Sequence, residues 1–209
     1  MRILVANKNH ITFSESICQM IEAAARERGT GIAKRSVIYI QSKIEEGKAV
    51  IALENGRLAG FCYIESWGHE KFVANSGLIV HPDFRKSGLA KLIKKKIFNL
   101  SLEKYPEAKV FGITTSLAVM RINAGLGYKP VTFSELTDDN TFWSGCQSCK
   151  NFDILTRTNR SHCLCTGMLF DPKEKTTNKV EENEGWKNFK RFLKYKKTKV
   201  KRKLTMFSF

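Results

Sequence analysis

Residues 77–93, GLIVHPDFRKSGLAKLI, restrict what this chain can fold into more than any other stretch. An apolar run ends at His81-Pro82, and Pro82 has no N–H to donate into a ladder, so strand pairing stops there. Arg85-Lys86-Ser87-Gly88-Leu89-Ala90 follows and leads into an amphipathic helix with Leu89, Leu92, Ile93, Ile97 and Leu100 on one face. Gly88 lets a ligand approach the backbone, and the small Ala90 leaves room at the first turn. The unpaired N–H groups and positive dipole end of such a helix form an anion site, to which Arg85 and Lys86 add charge. A pyrophosphate suits that arrangement. A basic glycine turn alone is a common helix cap. The ordered succession of strand, proline break, basic turn, small residue and helix is what sets this one apart.

The flanking periodicity predicts a strand over residues 2–7 and a helix over 14–28, with Ile17, Met20, Ile21 and Ala24 on one face and Gly29 as its stop. A second helix is expected over 37–46. Residues 48–54 and 57–66 read as a hairpin around Asn55-Gly56, the strongest short hairpin signal. A strand over 72–80, a helix over 89–101, a strand over 110–114, a helix over 117–126 and a strand over 129–133 complete the order β-α-α-β-β-β-α-β-α-β. That order predicts an α+β domain around a sheet of mixed direction.

R-x-x-G-x-A after a strand ending V-H-P resembles the acetyl-CoA loop of the GNAT superfamily of N-acyltransferases, and the element order is similar to that fold over residues 1–133. The resemblance implies a GNAT-like mixed central sheet flanked by helices. It implies that the backbone of Ile79 and Val80 pairs with the pantetheine arm of acetyl-CoA, or of succinyl-CoA. It further implies that Arg85, Lys86, Ser87, Gly88, Leu89 and Ala90 cradle the pyrophosphate. Residues 113–116 and 125–131, together with Gly31-Ile32-Ala33-Lys34-Arg35-Ser36, are similar to segments of N-acetylglutamate synthases. A small amino acid such as glutamate is the acceptor this implies. Lys34 and Arg35 are then its carboxylate ligands, since an arginine fork binds a carboxylate bidentately. A solvated basic loop is the alternative reading of that pair.

Acyl transfer to an amine needs a base and a donor aimed at the developing oxyanion. The Val80 N–H is the oxyanion candidate. Many members of the superfamily carry a Glu where this chain has Ala74, so the base is sought nearby, at His69 and Glu70 in a loop between strands, with Glu65 a further candidate. An exposed His-Glu turn without a catalytic role is the alternative reading. The tyrosine that usually protonates the departing thiolate falls at Asn123. A thiol is already a fair leaving group, so that acid is dispensable.

Composition adds boundaries. In 209 residues, 42% hydrophobic and 27% charged, the chain has globular usage and no run long enough for a membrane helix. Its start lacks a secretory pattern, so a cytoplasmic location is expected, with reduced cysteines. Cys146, Cys149, Cys163 and Cys165, with His162 as a substitute, are candidate ligands of a structural zinc; thiols packed against the sheet are the alternative. Of the net charge of +16, residues 173–209 hold +9, with 13 Lys/Arg against 4 Asp/Glu. From Gly185 onward, Trp186, Phe189, Phe192 and Leu193 recur among lysines as in a basic amphipathic helix, able to meet an anionic partner or to dock on the protein itself. The expected organisation is an acyl-CoA-binding domain over 1–133, a cysteine-containing extension over 134–172 and a linker with basic tail over 173–209. A homodimer is expected by analogy. The competing reading is a zinc-stabilised nucleic-acid-binding protein on the same scaffold.

Overall fold

In the computed structural model the described residues are 1–28 and 34–174. The chain divides into two units, residues 1–171 and 172–209. The basic amphipathic tail lies outside the described residues, as do residues 31–33.

Strand β1 (Arg2–Val5) is followed by α1 (Ser14–Arg28), α2 (Val37–Glu45), β2 (Ala49–Glu54), β3 (Arg57–Trp67) and β4 (Phe72–Val80). Then come α3 (Leu89–Lys104), β5 (Lys109–Thr114), α4 (Leu117–Gly125), β6 (Lys129–Val131), α5 (Asn140–Ser144), α6 (Phe152–Arg157) and β7 (Thr166–Phe170). Each element expected over 1–131 is present within a few residues. Residues 132 and 133 leave the last expected strand, because Phe133 opens a short 3-10 turn capped by Thr132. Asn55 and Gly56 both have positive φ, at 49° and 76°, the geometry of a type I′ hairpin turn.

The seven strands form one sheet in the order β1-β2-β3-β4-β5-β7-β6. Strands β1 to β4 are antiparallel neighbours, whereas β4 and β5 are parallel and pair only at Phe72↔Lys109, Val73↔Val110 and Ala74↔Phe111. Beyond Ala74 the two strands part, and β4 runs on to Val80 without a strand partner on that side among the described residues. The unforeseen strand β7 comes from the extension and lies between β5 and β6.

Alternation along the strands sorts the core into two faces. Val50, Cys62, Ile64, Val73 and Val110 pack on Leu89, Ile93 and Ile97 of α3. On the opposite face Ile51, Phe61 and Tyr63 pack on Ile17 and Ile21 of α1 and Ile40 and Ile44 of α2. Burial of each such aliphatic side chain contributes about 1.5–3 kcal/mol. Further along that second face the helices give way to the extension, where Ala74, Phe111 and Leu169 meet Phe133, Leu136, Trp143 and Leu155. The join between these two clusters leaves a cleft over the point where β4 and β5 part.

Candidate active site

The end of β4 is shaped by a bulge. Phe61 pairs with Ile79, but Tyr63 pairs with Ser76, so Gly77 and Leu78 together face Cys62. Gly77 has φ +64°, and a Cβ there would sit 2.6 Å from Tyr63 Cε1. Past the bulge, the His81 N–H donates to the Ala59 carbonyl at 2.9 Å. His81 and therefore Ile79 hydrogen-bond toward β3, and Val80 between them turns its N–H and C=O toward the open gap. Arg85 Nε donates to that Val80 carbonyl at 3.4 Å, which fixes the direction independently. Of the two residues expected at the thioester arm, Val80 is the one with backbone groups facing the gap.

The turn before α3 is built as its sequence requires. Lys86 and Gly88 adopt left-handed φ of 62° and 81°, and no side chain caps the helix at Gly88. The first-turn N–H groups therefore face outward, beside exposed Lys86 and Ser87. Arg85 Nη1 pairs with Glu27 at 2.8 Å, so its charge is shared with α1 rather than free. An exposed helix N-terminus with a basic turn, next to an open strand edge, fits a long ligand with phosphates at one end and an amide arm at the other.

The cleft on the opposite face has a volume of about 620 Å³ and is walled by α2, β3, β4, β5 and the segment around α5. Arg35 and Lys34 line it, as do Tyr39, Tyr63, Glu65, Trp67, Asn75, Ile113, Phe142 and Cys146. Arg35 Nε donates to the Tyr63 hydroxyl at 2.6 Å, Nη1 donates to the Lys34 carbonyl at 3.0 Å, and the guanidinium lies 5.5 Å from the centre of the Tyr39 ring. Burial pulls the Arg35 pKa down, but the two tyrosines and Glu65 outweigh it, so the group stays charged. Lys34 is 83% exposed and pairs with Glu22 at 3.6 Å. Glu65 forms an ion pair with Lys43 and accepts a hydrogen bond from Tyr39. Burial, with Tyr63 and Glu65 adding, pushes the Tyr39 phenol well above its ordinary range. Glu65 lies directly across from Ala74 in the ladder. It is the one carboxylate among the described residues lining the cleft.

His69 and Glu70 occupy the exposed turn between β3 and β4, with φ of 53° and 65°, and neither lines the cleft. Asn123 is 2% exposed and its Oδ1 has no hydrogen-bond partner among the described residues, so the position of the expected thiolate acid is held by a buried amide. The four cysteines of the extension do come together. Burial, with the neighbouring thiols adding, raises Cys146 to about 11 and Cys165 to about 12. Among the described residues, however, no group of three or more His, Cys, Asp or Glu side chains is arranged to hold a metal ion. The zinc expectation is therefore unsupported, and the half-buried thiols of Cys146, Cys163 and Cys165 pack against the aromatic cluster under the extension. Tyr39, Tyr63 and Trp67 were not singled out from the sequence. The available signal was the alternation Tyr63-x-Glu65-x-Trp67, bulky polar and aromatic groups on one face of an otherwise apolar strand.

A splayed mixed sheet with a bulged fourth strand, an open strand edge and an uncapped basic helix start defines an acyl-CoA-type transferase fold. Residues 17–117 match the model of the acetyltransferase (GNAT) family, and the chain carries a GNAT-family acetyltransferase domain. Its fold is similar to N-acetylglutamate synthase from Neisseria gonorrhoeae complexed with coenzyme A and N-acetyl-glutamate, with a TM-score of 0.57 and 17% identity over 81% of this chain. The match spans only 34% of the Neisseria chain, about a third of its length. Rv2747 from Mycobacterium tuberculosis in complex with CoA has a TM-score of 0.58 at 14% identity, over 82% of this chain and 99% of that one. Diaminobutyrate acetyltransferase from Paenibacillus lautus, in complex with L-2,4-diaminobutyric acid and coenzyme A, has a TM-score of 0.53 at 11% identity, over 82% and 94%. No curated protein sequence matches the chain. No helix among the described residues is long and apolar enough to cross a membrane.

Proposed function

We propose that the protein transfers an acetyl group from acetyl-CoA to the amine of a small amino acid, with Glu65 as the base. The observation that carries this reading is the position of Glu65, the lone carboxylate of the cleft among the described residues, across the ladder from Ala74 and beside the place where β4 and β5 part. Residues 85–90 bind the pyrophosphate and the open edge at Val80 takes the arm of the donor. Arg35, with Lys34 at the rim, holds the acceptor's carboxylate. The amine attacks the thioester carbon, the carbonyl pair moves onto an oxyanion that the Val80 N–H stabilises, and its return re-forms the carbonyl and breaks the C–S bond. The amine proton passes to Glu65, directly or through one water, and the departing thiolate recovers a proton from solvent. In this reading residues 1–133 carry both donor and acceptor sites, and the extension over 134–172 closes the acceptor cleft. The neighbours whose ligands include N-acetyl-glutamate and diaminobutyric acid support an amino-acid acceptor.

Thermal stabilisation by acetyl-CoA and by succinyl-CoA, followed by free-thiol release with each of the twenty amino acids, tests the reading. Glu65→Gln should retain the thermal shift with acetyl-CoA while kcat falls on the order of 10²- to 10⁴-fold. An unchanged kcat would remove Glu65 from the chemistry. No thermal shift with either thioester would overturn the acyltransferase reading.

A further inference from the structure

The cleft is not chemically uniform along its length. Tyr63, Glu65 and Trp67 stand on one face of β3 at alternate positions, so the row spans about 13 Å at roughly 3.3 Å per residue. One end is cationic. There Arg35 is held by Tyr63 and stacked near Tyr39, with two of its nitrogens engaged, so donors of its five-N–H fork remain for a ligand oxygen. The carboxylate of Glu65 stands in the middle. The far end is aromatic. The Trp67 ring lies 5.1 Å from Phe142 and 5.6 Å from Phe111, and Phe142 lies 5.0 Å from Phe111.

That aromatic wall is built rather than incidental. Trp143 Nε1 donates to the Thr137 carbonyl at 2.8 Å, and the Gly68 N–H donates to Asp139 Oδ2 at 3.3 Å, tying α5 to the turn beyond Trp67. No cation lines this end among the described residues: the lining cations are Arg35 and Lys34, and Lys34 is drawn to the surface by Glu22. A second carboxylate reaching the aromatic end would lose water and gain no cationic partner among the described residues.

Resting on the acetyl-transfer reading, we infer that the acceptor is an α-amino acid with an apolar or aromatic side chain, its carboxylate on Arg35, its amine at Glu65 and its side chain against Trp67 and Phe142. A dicarboxylic acceptor such as glutamate is disfavoured by the same wall. The cleft reads carboxylate, amine and apolar group in that order along β3.

The test is kcat/KM with acetyl-CoA for phenylalanine, tryptophan, leucine and methionine against glutamate and lysine, with 2-phenylethylamine as the acceptor lacking a carboxylate. The apolar amino acids should exceed glutamate by roughly 10²-fold, and 2-phenylethylamine should fall well below phenylalanine. Phe142→Arg should narrow or reverse the preference for phenylalanine over glutamate, with the acetyl-CoA thermal shift unchanged. Phe142→Leu, which keeps an apolar wall, should preserve the ranking. Faster turnover of glutamate or lysine than of every apolar amino acid would overturn this inference and leave the acetyl-transfer reading standing. Donor binding without turnover of any amino acid would overturn both.

Discussion

Lys94 is held in surroundings that oppose its charge. It is 2% exposed on α3, beside Cys62 and 5.1 Å from the centre of the Tyr128 ring. Burial lowers its pKa to about 8, against a small opposing pull from Cys62. The folded-state value lies below the ordinary 10.5, so the unfolded chain binds more protons between these limits. The penalty is full below pH 8 and is relieved as pH rises toward 10.5. It amounts to about 3 kcal/mol at neutral pH. Lys94→Met should therefore raise Tm at pH 7, and its advantage over the wild type should shrink steadily above pH 8, as read by thermal melts. The difference between the two proteins is the quantity to follow, because the buried Cys62 thiol, pushed up to about 12, lowers stability of the wild type above pH 9. In the sequence only its spacing of three and four from Ile97 and Phe98 separates Lys94 from the exposed Lys95 and Lys96, and a lysine reads as solvated until the packing of Cys62 and Tyr128 is known. Glu65 is hidden in the sequence for a related reason: the register of β3 on β4 sets Glu65 on the cleft face and leaves His69 and Glu70 in the turn, and neither is visible before the strands are paired.

Elements were more legible than residues because their signals are local. The hairpin at Asn55-Gly56, the break at Pro82 and the helix start at Gly88 each follow from one backbone requirement. A Cβ at Gly88 would meet nothing within 4 Å, so only its φ of +81° resists substitution. Gly88→Ala should cost about 1–2 kcal/mol in chemical denaturation and weaken acetyl-CoA binding, while Gly88→Asn should cost less, since Asn tolerates the left-handed region. Gly77 is a harsher case. There a new Cβ would press on the Tyr63 ring, which carries Arg35. Gly77→Ala should raise KM for the acceptor more than KM for acetyl-CoA, a split that steady-state kinetics resolves. The sequence signal of the bulge is Gly77 itself, an isolated glycine inside a strand, and it does not show which partner residue the extra residue faces. Strand β7 is masked in the sequence for another reason. Its five residues, TGMLF, follow Cys163 and Cys165, and a cysteine-rich stretch invites a metal reading before a strand reading.

At the scale of the molecule, β7 joins β5 and β6 into one sheet and buries Met168, Leu169 and Phe170. A chain ending at residue 165 would leave the β5 edge bare and lose the ring contact of Phe170 with Phe98, at 4.9 Å. Such a truncation should fail to give a cooperative melt, whereas one ending at residue 171 should melt cooperatively and still respond to acetyl-CoA. The same topology orders events on the ribosome. Strands β1 to β5 are complete once residue 114 has been made, and β6 follows at residues 129–131. β6 then has no neighbour to pair with until residues 166–170 have also cleared the exit tunnel. The nascent domain must carry an unpaired strand and an open β5 edge across the synthesis of 34 intervening residues, 132–165, so its most aggregation-exposed interval falls between the synthesis of β6 and that of β7.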